Sequence, residues 1–543
     1  MQDLDMTLKM YTSPLGELSN VYYGNCVSFM QNAAPFKENP DLEVYVDAKT
    51  GKTLSARQVF DLSGRVSNLL STKYGIQYDD VVCIFSSNRL YTPAVHYGIL
   101  GLGAIISPAN IAYVPKELNH QLGLSQAKLV ISTDALMDTV KQATEMEGSV
   151  VKNIITIEDL VQESQSYSPQ APVELPGNTA VTKDAYYCFS SGTSGVPKGV
   201  MTTHHNVTAN VQQQEVCAMD YRPGNTFSGF LPMSHIFGLM KLIYTLPHAG
   251  SKVVIFEKFD FEQTLQSIRK HNIRFLHIVP PIMVLFAKSP LVDEYEIRGS
   301  VERMFCGAAP LSDSLIQQVQ SRLNCHVIQG YGLTETTPVT HLPDVNIKEY
   351  NQAGIGWLVP SMKARVVDPD GKDVPKGGRG ELWVKGPNVM KGYLKNPKAT
   401  SEVLTSDGWF KTGDVAMVDE KEEFYIVDRV KELIKSKGHQ VAPAELEAIL
   451  LTHPKVLDAA VIGHHVPEEG SEYPRAFIVI SGSDTHPLDI KKWFDAKVSR
   501  HKRLWGGVVV MDAIPKNPSG KILRRELRTR TGDHVHGFTN SKL

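Results

Sequence analysis

Short apolar runs alternate with helix-like stretches through the first two thirds of the chain, and this rhythm restricts the fold more than any other feature. Residues 81–86 read as a buried strand, 90–102 as a helix and 104–107 as a second strand. The pattern returns at 252–256, 259–271 and 274–279, and again at 303–307, 311–323 and 325–329. Strand, helix, strand at this spacing builds βαβ units and mostly parallel sheets. With 543 residues the chain is longer than one hydrophobic core serves, so at least two domains are expected.

The character changes near Ser361. Residues 363–368, 380–385 and 423–427 are short β segments separated by Gly- and Asp-rich turns such as Asp368-Pro369-Asp370-Gly371. A charged stretch opens at Asp428, and residues 444–452 read as a helix, with Pro443 before it and Glu445 and Glu447 early in it. These features divide the chain into 1–428 and a small α+β unit, 429–543.

Composition excludes several classes. A net charge of −2 gives no global basic field for nucleic acid or an anionic membrane. The six cysteines are scattered with no C-x-x-C pair, against a disulfide framework or a cysteine zinc site. Met-Gln-Asp-Leu-Asp at the start lacks the apolar core of a secretory signal. The most apolar run, 99–107, is interrupted by glycines and too short to span a bilayer. Ser541-Lys542-Leu543 at the other end has the form of a peroxisomal address, so a peroxisomal import receptor is an expected partner.

The chemistry gathers in six clusters. Ser190-Ser191-Gly192-Thr193-Ser194-Gly195-Val196-Pro197-Lys198-Gly199 combines backbone freedom, hydroxyls and one lysine. Such a loop can cradle phosphate oxygens, although a Ser/Gly-rich surface loop has the same composition. It lacks the G-x-x-x-x-G-K-[ST] spacing of a Walker loop. Gly307-Ala308-Ala309-Pro310-Leu311 follows one strand and would let a flat ring lie against the backbone. Gly330-Tyr331-Gly332-Leu333-Thr334-Glu335-Thr336 follows another and offers an aromatic face, a hydroxyl and a carboxylate suited to stacking, phosphate and Mg²⁺. Thr412-Gly413-Asp414 sets a carboxylate in a tight turn, where it can accept from ribose hydroxyls. Arg429 to Gly438 carries one arginine and three lysines, and Pro515-Lys516-Asn517-Pro518-Ser519-Gly520-Lys521 delivers a late lysine. Each of these also reads as an ordinary turn or a solvated charged face when taken alone.

In this order and at these separations, the clusters resemble the adenylate-forming superfamily of acyl-CoA synthetases, firefly luciferases and adenylation domains. The similarity runs from about Val44 to about Arg528. The segments 329–337 and 435–447 most resemble the 4-coumarate–CoA ligase and luciferase branch. The resemblance implies a large N-terminal domain of two α/β subdomains plus a distorted β-barrel, followed by a small mobile α+β C-terminal domain. It implies two half-reactions. A carboxylate attacks the α-phosphate of ATP to give an acyl-adenylate and pyrophosphate, then the thiol of CoA displaces AMP.

Carried over residue by residue, Ser190, Ser191, Gly192, Thr193, Ser194 and Lys198 would hold the β- and γ-phosphates. Thr334 would contact the α-phosphate and Glu335 would ligate Mg²⁺. Ala309 and the segment Gln329, Gly330, Tyr331, Gly332 and Leu333 would border the adenylate. Asp414 and Arg429 would bind ribose, with Lys431 close by at a hinge. Lys521 would bridge the substrate carboxylate and the α-phosphate. Rotation about the hinge would then bring Lys435, Lys437 and Gly438 to the CoA tunnel, and Lys258 would contact a CoA phosphate. Ser194 stands where the family often has Thr, and Ser436 and His439 stand where the branch commonly carries aromatic residues. His235, Phe237 and Lys241 would line the acyl pocket, although a lysine on a helix more commonly reaches out to solvent. Aryl or cinnamic-type acids and medium-chain fatty acids remain open as substrates. A luciferase-like oxygenation of the adenylate is the main alternative. Transfer to a carrier protein and a non-catalytic binding protein are the others.

Overall fold

The computed structural model describes residues 10–190, 197–217, 220–308, 311, 313–343, 351–437, 439–466, 471–482, 485–517 and 520–538. Ser191, Gly192, Thr193, Ser194, Ala309, Gly438 and the Ser541-Lys542-Leu543 tripeptide lie outside them.

Two seven-stranded sheets dominate residues 10–429. One runs in the order His326–Gln329, Arg303–Cys306, Phe275–Ile278, Thr226–Gly229, Lys252–Ile255, Glu43–Asp47, Thr53–Ser55. Its neighbours are parallel up to Glu43–Asp47, and the last pair is antiparallel. The other runs Gly392–Tyr393, Lys198–Thr203, Asp184–Ser190, Ile105–Pro108, Val81–Phe85, Ala127–Ser132, Asn153–Thr156. There Lys198–Thr203 pairs antiparallel with both of its neighbours, while the Val81–Phe85 side is parallel.

Val81–Phe85 is buried at every position, because helices cover both faces of a parallel sheet and each face must be apolar. Fully burying each such side chain stabilises the fold by about 1.5–3 kcal/mol. The helix Ala56–Thr72 starts at a capping box: the Ser55 hydroxyl accepts from the Gln58 amide, and the Gln58 side chain accepts from the Ser55 amide.

A third sheet is antiparallel and five-stranded, Tyr11–Thr12, Lys363–Val367, Arg379–Lys385, Phe410–Val418, Phe424–Arg429. It forms the curled half-barrel. The C-terminal part has its own four-stranded sheet, Val456–Val466, Ser471–Ile480, Val508–Val510 and Val535–His536. Helices Pro443–Leu451 and Pro487–Asp495 pack on it through Leu446, Leu450, Ile490 and Phe494. The large N-terminal core ends at Phe424 and the C-terminal core begins at Ile434, with no shared residue. Asp428 lies in that interval. No helix of the described residues is long and apolar enough to cross a membrane.

Candidate active site at the carboxyl ends of the parallel strands

Phe275–Ile278, Arg303–Cys306 and His326–Gln329 are consecutive parallel neighbours. The turns that follow them, at Val279, Gly307-Ala308 and Gly330-Tyr331, therefore open on one edge, where open α/β sheets receive ligands. Ala308 holds a left-handed backbone, φ +74°, a conformation that a side-chain-bearing residue keeps only when its surroundings impose it. A Cβ on Gly330 would lie 2.6 Å from the Phe305 ring, so the backbone runs close to that wall only because position 330 is glycine. The Gln329 amide, expected beside the nucleotide, is committed to structure. It accepts from Leu311 N at 2.8 Å and donates to the Gln352 carbonyl at 2.8 Å.

Glu335 joins three distant segments. Its Oε1 accepts from Ser190 Oγ at 3.0 Å and from the Tyr393 hydroxyl at 2.9 Å, and its carbonyl accepts from Met390 N at 2.8 Å. Lys198 Nζ lies 4.9 Å from the Tyr393 ring centroid, so Lys198 and the buried Glu335 carboxylate share one aromatic platform. Burial, and then Glu335, push the Tyr393 hydroxyl up, so it stays a donor. Thr334 is half-buried at the head of the same 3₁₀ turn, Thr334–Thr336.

Asp414 forms the second node. Gly413 turns the strand with φ +73°, and the buried Asp414 carboxylate accepts from the Tyr331 hydroxyl at 2.6 Å. Arg429 Nε stands 3.4 Å from its other oxygen. Burial raises the Asp414 carboxyl, against the pull of Arg429 and Tyr331.

Lys521 comes to this node from the C-terminal part. Asn517 N donates to the Lys521 carbonyl and Lys521 N to Asn517 Oδ1, each at 2.9 Å, closing a tight turn. Gly520, at φ +81°, seats that turn on the carboxyl end of Phe275–Ile278; a Cβ there would be 3.1 Å from Pro281 Cδ. The Lys521 amine is pulled down to about 8 by burial first and by Arg429 second, against Asp414, Glu335 and Glu432. Burial first, then the charge of Lys521, lowers His235 to about 4. One amine thus senses both carboxylate nodes and His235, at the head of the Ile236–Gly238 helix.

Other expected residues stand apart. Lys435 and Lys437 lie on the Ile434–Ser436 strand and the turn after it, bonded to the C-terminal sheet. Lys435 N donates to Glu472 at 2.9 Å and Lys437 N to Ser471 at 3.0 Å. Lys437 Nζ lies 4.5 Å from the Trp505 ring centroid. Lys258 and Lys431 are exposed.

Lys241 does not reach solvent, the commoner course for a lysine on a helix. It is 0% exposed, on the π-helix Leu239–Thr245. It faces inward because Gln214 and Tyr221 offer acceptors there. Sequence reasoning missed Gln214, Tyr221, His277 and Tyr393. Each lies tens of residues from its functional neighbour, so no local spacing could reveal it.

The model of the AMP-binding enzyme family matches residues 31–394, and that of the AMP-binding enzyme C-terminal domain matches residues 445–521. The chain is 36% identical to probable 4-coumarate–CoA ligase 2 of Dictyostelium discoideum, over 91% of this chain and 93% of that protein. It is 37% identical to 4-coumarate–CoA ligase 1 of Petroselinum crispum, over 90% and 91% of the two chains. Among solved structures, ATP-bound MatB from Rhodopseudomonas palustris superposes with TM-score 0.82 at 26% identity, covering 92% of this chain and 98% of its own. With both family models matched and the strand-end site in place, the chain belongs to the AMP-binding enzymes of the adenylate-forming superfamily, as an AMP-forming acid–thiol ligase.

Proposed function

We propose that this protein activates an aryl, cinnamic-type or medium-chain carboxylic acid with ATP and transfers the acyl group to CoA. The carboxylate oxygen attacks the α-phosphorus and pyrophosphate leaves. The CoA thiolate then attacks the acyl carbon and AMP leaves with the bonding pair. The observation that supports this reading best is the meeting of Lys521, the Asp414–Arg429 pair and Glu335 at one strand edge. Lys521 would neutralise charge between the two anionic reactants, and a fixed cation in a water-poor site does this without reorganisation. Asp414 would accept from ribose hydroxyls. Glu335, with one carboxylate and substrate phosphates, suits Mg²⁺, which keeps several waters and needs few protein ligands. When bound, the ion would screen the triphosphate charge. Lys258, Lys435 and Lys437 would serve CoA after a domain rotation. Relatives named as CoA ligases favour acyl transfer to a thiol over oxygenation of the adenylate. Ser541-Lys542-Leu543 supports a peroxisomal site of action, which a fluorescent fusion with and without the tripeptide would test.

The deciding assay measures AMP and thioester formation from ATP, Mg²⁺, CoA and a panel of acids. Adenylate and pyrophosphate without thioester would overturn CoA as the acceptor.

A further inference from the structure

The helical segment that begins at His235 is the one the family resemblance assigns to the wall of the acyl pocket. His235 feels the charge of Lys521. Two residues on, Phe237 packs against Gly307, where a Cβ would lie 3.2 Å from its ring, and its centroid is 5.7 Å from that of Phe305. Four residues further, Lys241 ends the row, with Nζ 4.9 Å from the Phe305 centroid. The segment thus has a lysine amine near each end, Lys521 beside His235 and Lys241 against Phe305.

The Lys241 end is polar and its charge is not balanced. Lys241 Nζ donates to the Tyr221 hydroxyl at 2.8 Å and to Gln214 Oε1. Gln214 is held in that orientation because its own amide nitrogen donates to Asn210 Oδ1 at 2.9 Å. Tyr221 in turn meets His277 Nε2 at 3.2 Å, and His277 Nδ1 is buried without a partner among the described residues. No carboxylate of the described residues pairs with the Lys241 amine; the neighbouring Asp220 is taken by Arg303. An ammonium has three N–H donors, and two acceptors are in place. A buried cation without an anion is costly, and burial here lowers the amine to about 7. An apolar tail would leave that cost standing, whereas a carboxylate would cancel it.

We propose that Lys241 determines specificity at the far end of the acyl pocket and selects acids that carry a second carboxylate there. The inference rests on the acid–CoA ligase reading above and narrows it to dicarboxylic substrates.

The test uses the full-length protein and pairs of acids that differ only in the terminal group: adipate against hexanoate, sebacate against decanoate, and 4-carboxycinnamate against cinnamate, with 4-coumarate as a neutral polar control. Adenylate formation is measured for wild type, Lys241→Met and Tyr221→Phe. Wild type is expected to favour the second-carboxylate member of at least one pair by about thirtyfold or more in kcat/KM. Lys241→Met should lose that preference, read as a fall of the second-carboxylate to monoacid kcat/KM ratio towards one, and Tyr221→Phe should lower the ratio less. A wild type that prefers monoacids or 4-coumarate overturns the inference and leaves the ligase reading intact. So does a Lys241→Met variant that keeps the wild-type ratio. If Lys241→Met does not fold, the wild-type preference decides alone. Adenylate from none of the acids would overturn both readings.

Discussion

Asp414 and Arg429 are register partners on neighbouring antiparallel strands, and the guanidinium Nε stands 3.4 Å from the carboxylate. The pair is therefore fixed by the half-barrel ladder and not by a flexible loop. Tyr331 reaches the same carboxylate from a small antiparallel sheet, Tyr331–Gly332, Val339–Leu342 and Trp357–Leu358, so two separate sheets meet at one carboxylate.

Replacing Asp414 with Asn keeps the shape of this node and removes its charge. The KM for ATP should rise about 10–100-fold, the value of one or two hydrogen bonds to an ionised group. Pyrophosphate exchange at varied ATP reads it directly, and an unchanged KM would remove Asp414 from the nucleotide site.

On the proposed reading Lys521 works as an ammonium, and burial pulls its amine down to about 8. The active form is present below that pH and disappears as pH rises through it. kcat/KM for adenylation should show an alkaline limb near pH 8, moved upward in kcat because bound ATP adds negative charge beside the amine. Lys521→Ala should abolish the limb and lower adenylation about 100–1000-fold. Transfer from a supplied acyl-adenylate to CoA should change far less.

Lys437 is held away from the Asp414 node by the C-terminal sheet and Trp505. Lys437→Ala should leave pyrophosphate exchange unaltered and reduce thioester formation about 10–100-fold. Equal losses in both assays would contradict a role confined to CoA.

One Arg524 guanidinium nitrogen donates to both oxygens of the buried Glu447 carboxylate, at 2.7 and 2.8 Å, and Glu447 also accepts from Val461 N at 2.8 Å. Arg524→Met strands a buried carboxylate and should destabilise the C-terminal part by about 3–5 kcal/mol. Denaturant unfolding followed through Trp493 and Trp505 would report it. The double variant Glu447→Gln with Arg524→Met should recover much of that loss.

The alternation of apolar runs was enough to read the parallel sheets. The segments expected at 252–256, 274–279 and 303–307 form strands at Lys252–Ile255, Phe275–Ile278 and Arg303–Cys306. Periodicity works there because both faces of each strand are covered, so the apolar demand is local and continuous. The π-helix at Leu239–Thr245 left no such trace, since its wide turn answers to buried partners and not to its own residues. Lys241 was hard to read for the same reason: a lysine turns inward only when acceptors wait, and Gln214 and Tyr221 are brought there by other elements. The nucleotide clusters were readable as motifs, but their meeting was not. Glu335 finds Ser190 across 145 positions and Tyr393 across 58.

The Lys521 turn rests on Pro281 through a residue without a side chain, and the hydrophobic cores on either side of that contact share nothing. Competence is therefore divided property. On the proposed reading neither half of the chain holds a reacting centre by itself, and in a protein nicked between the two cores, turnover would become a titration of how well the fragments find each other again.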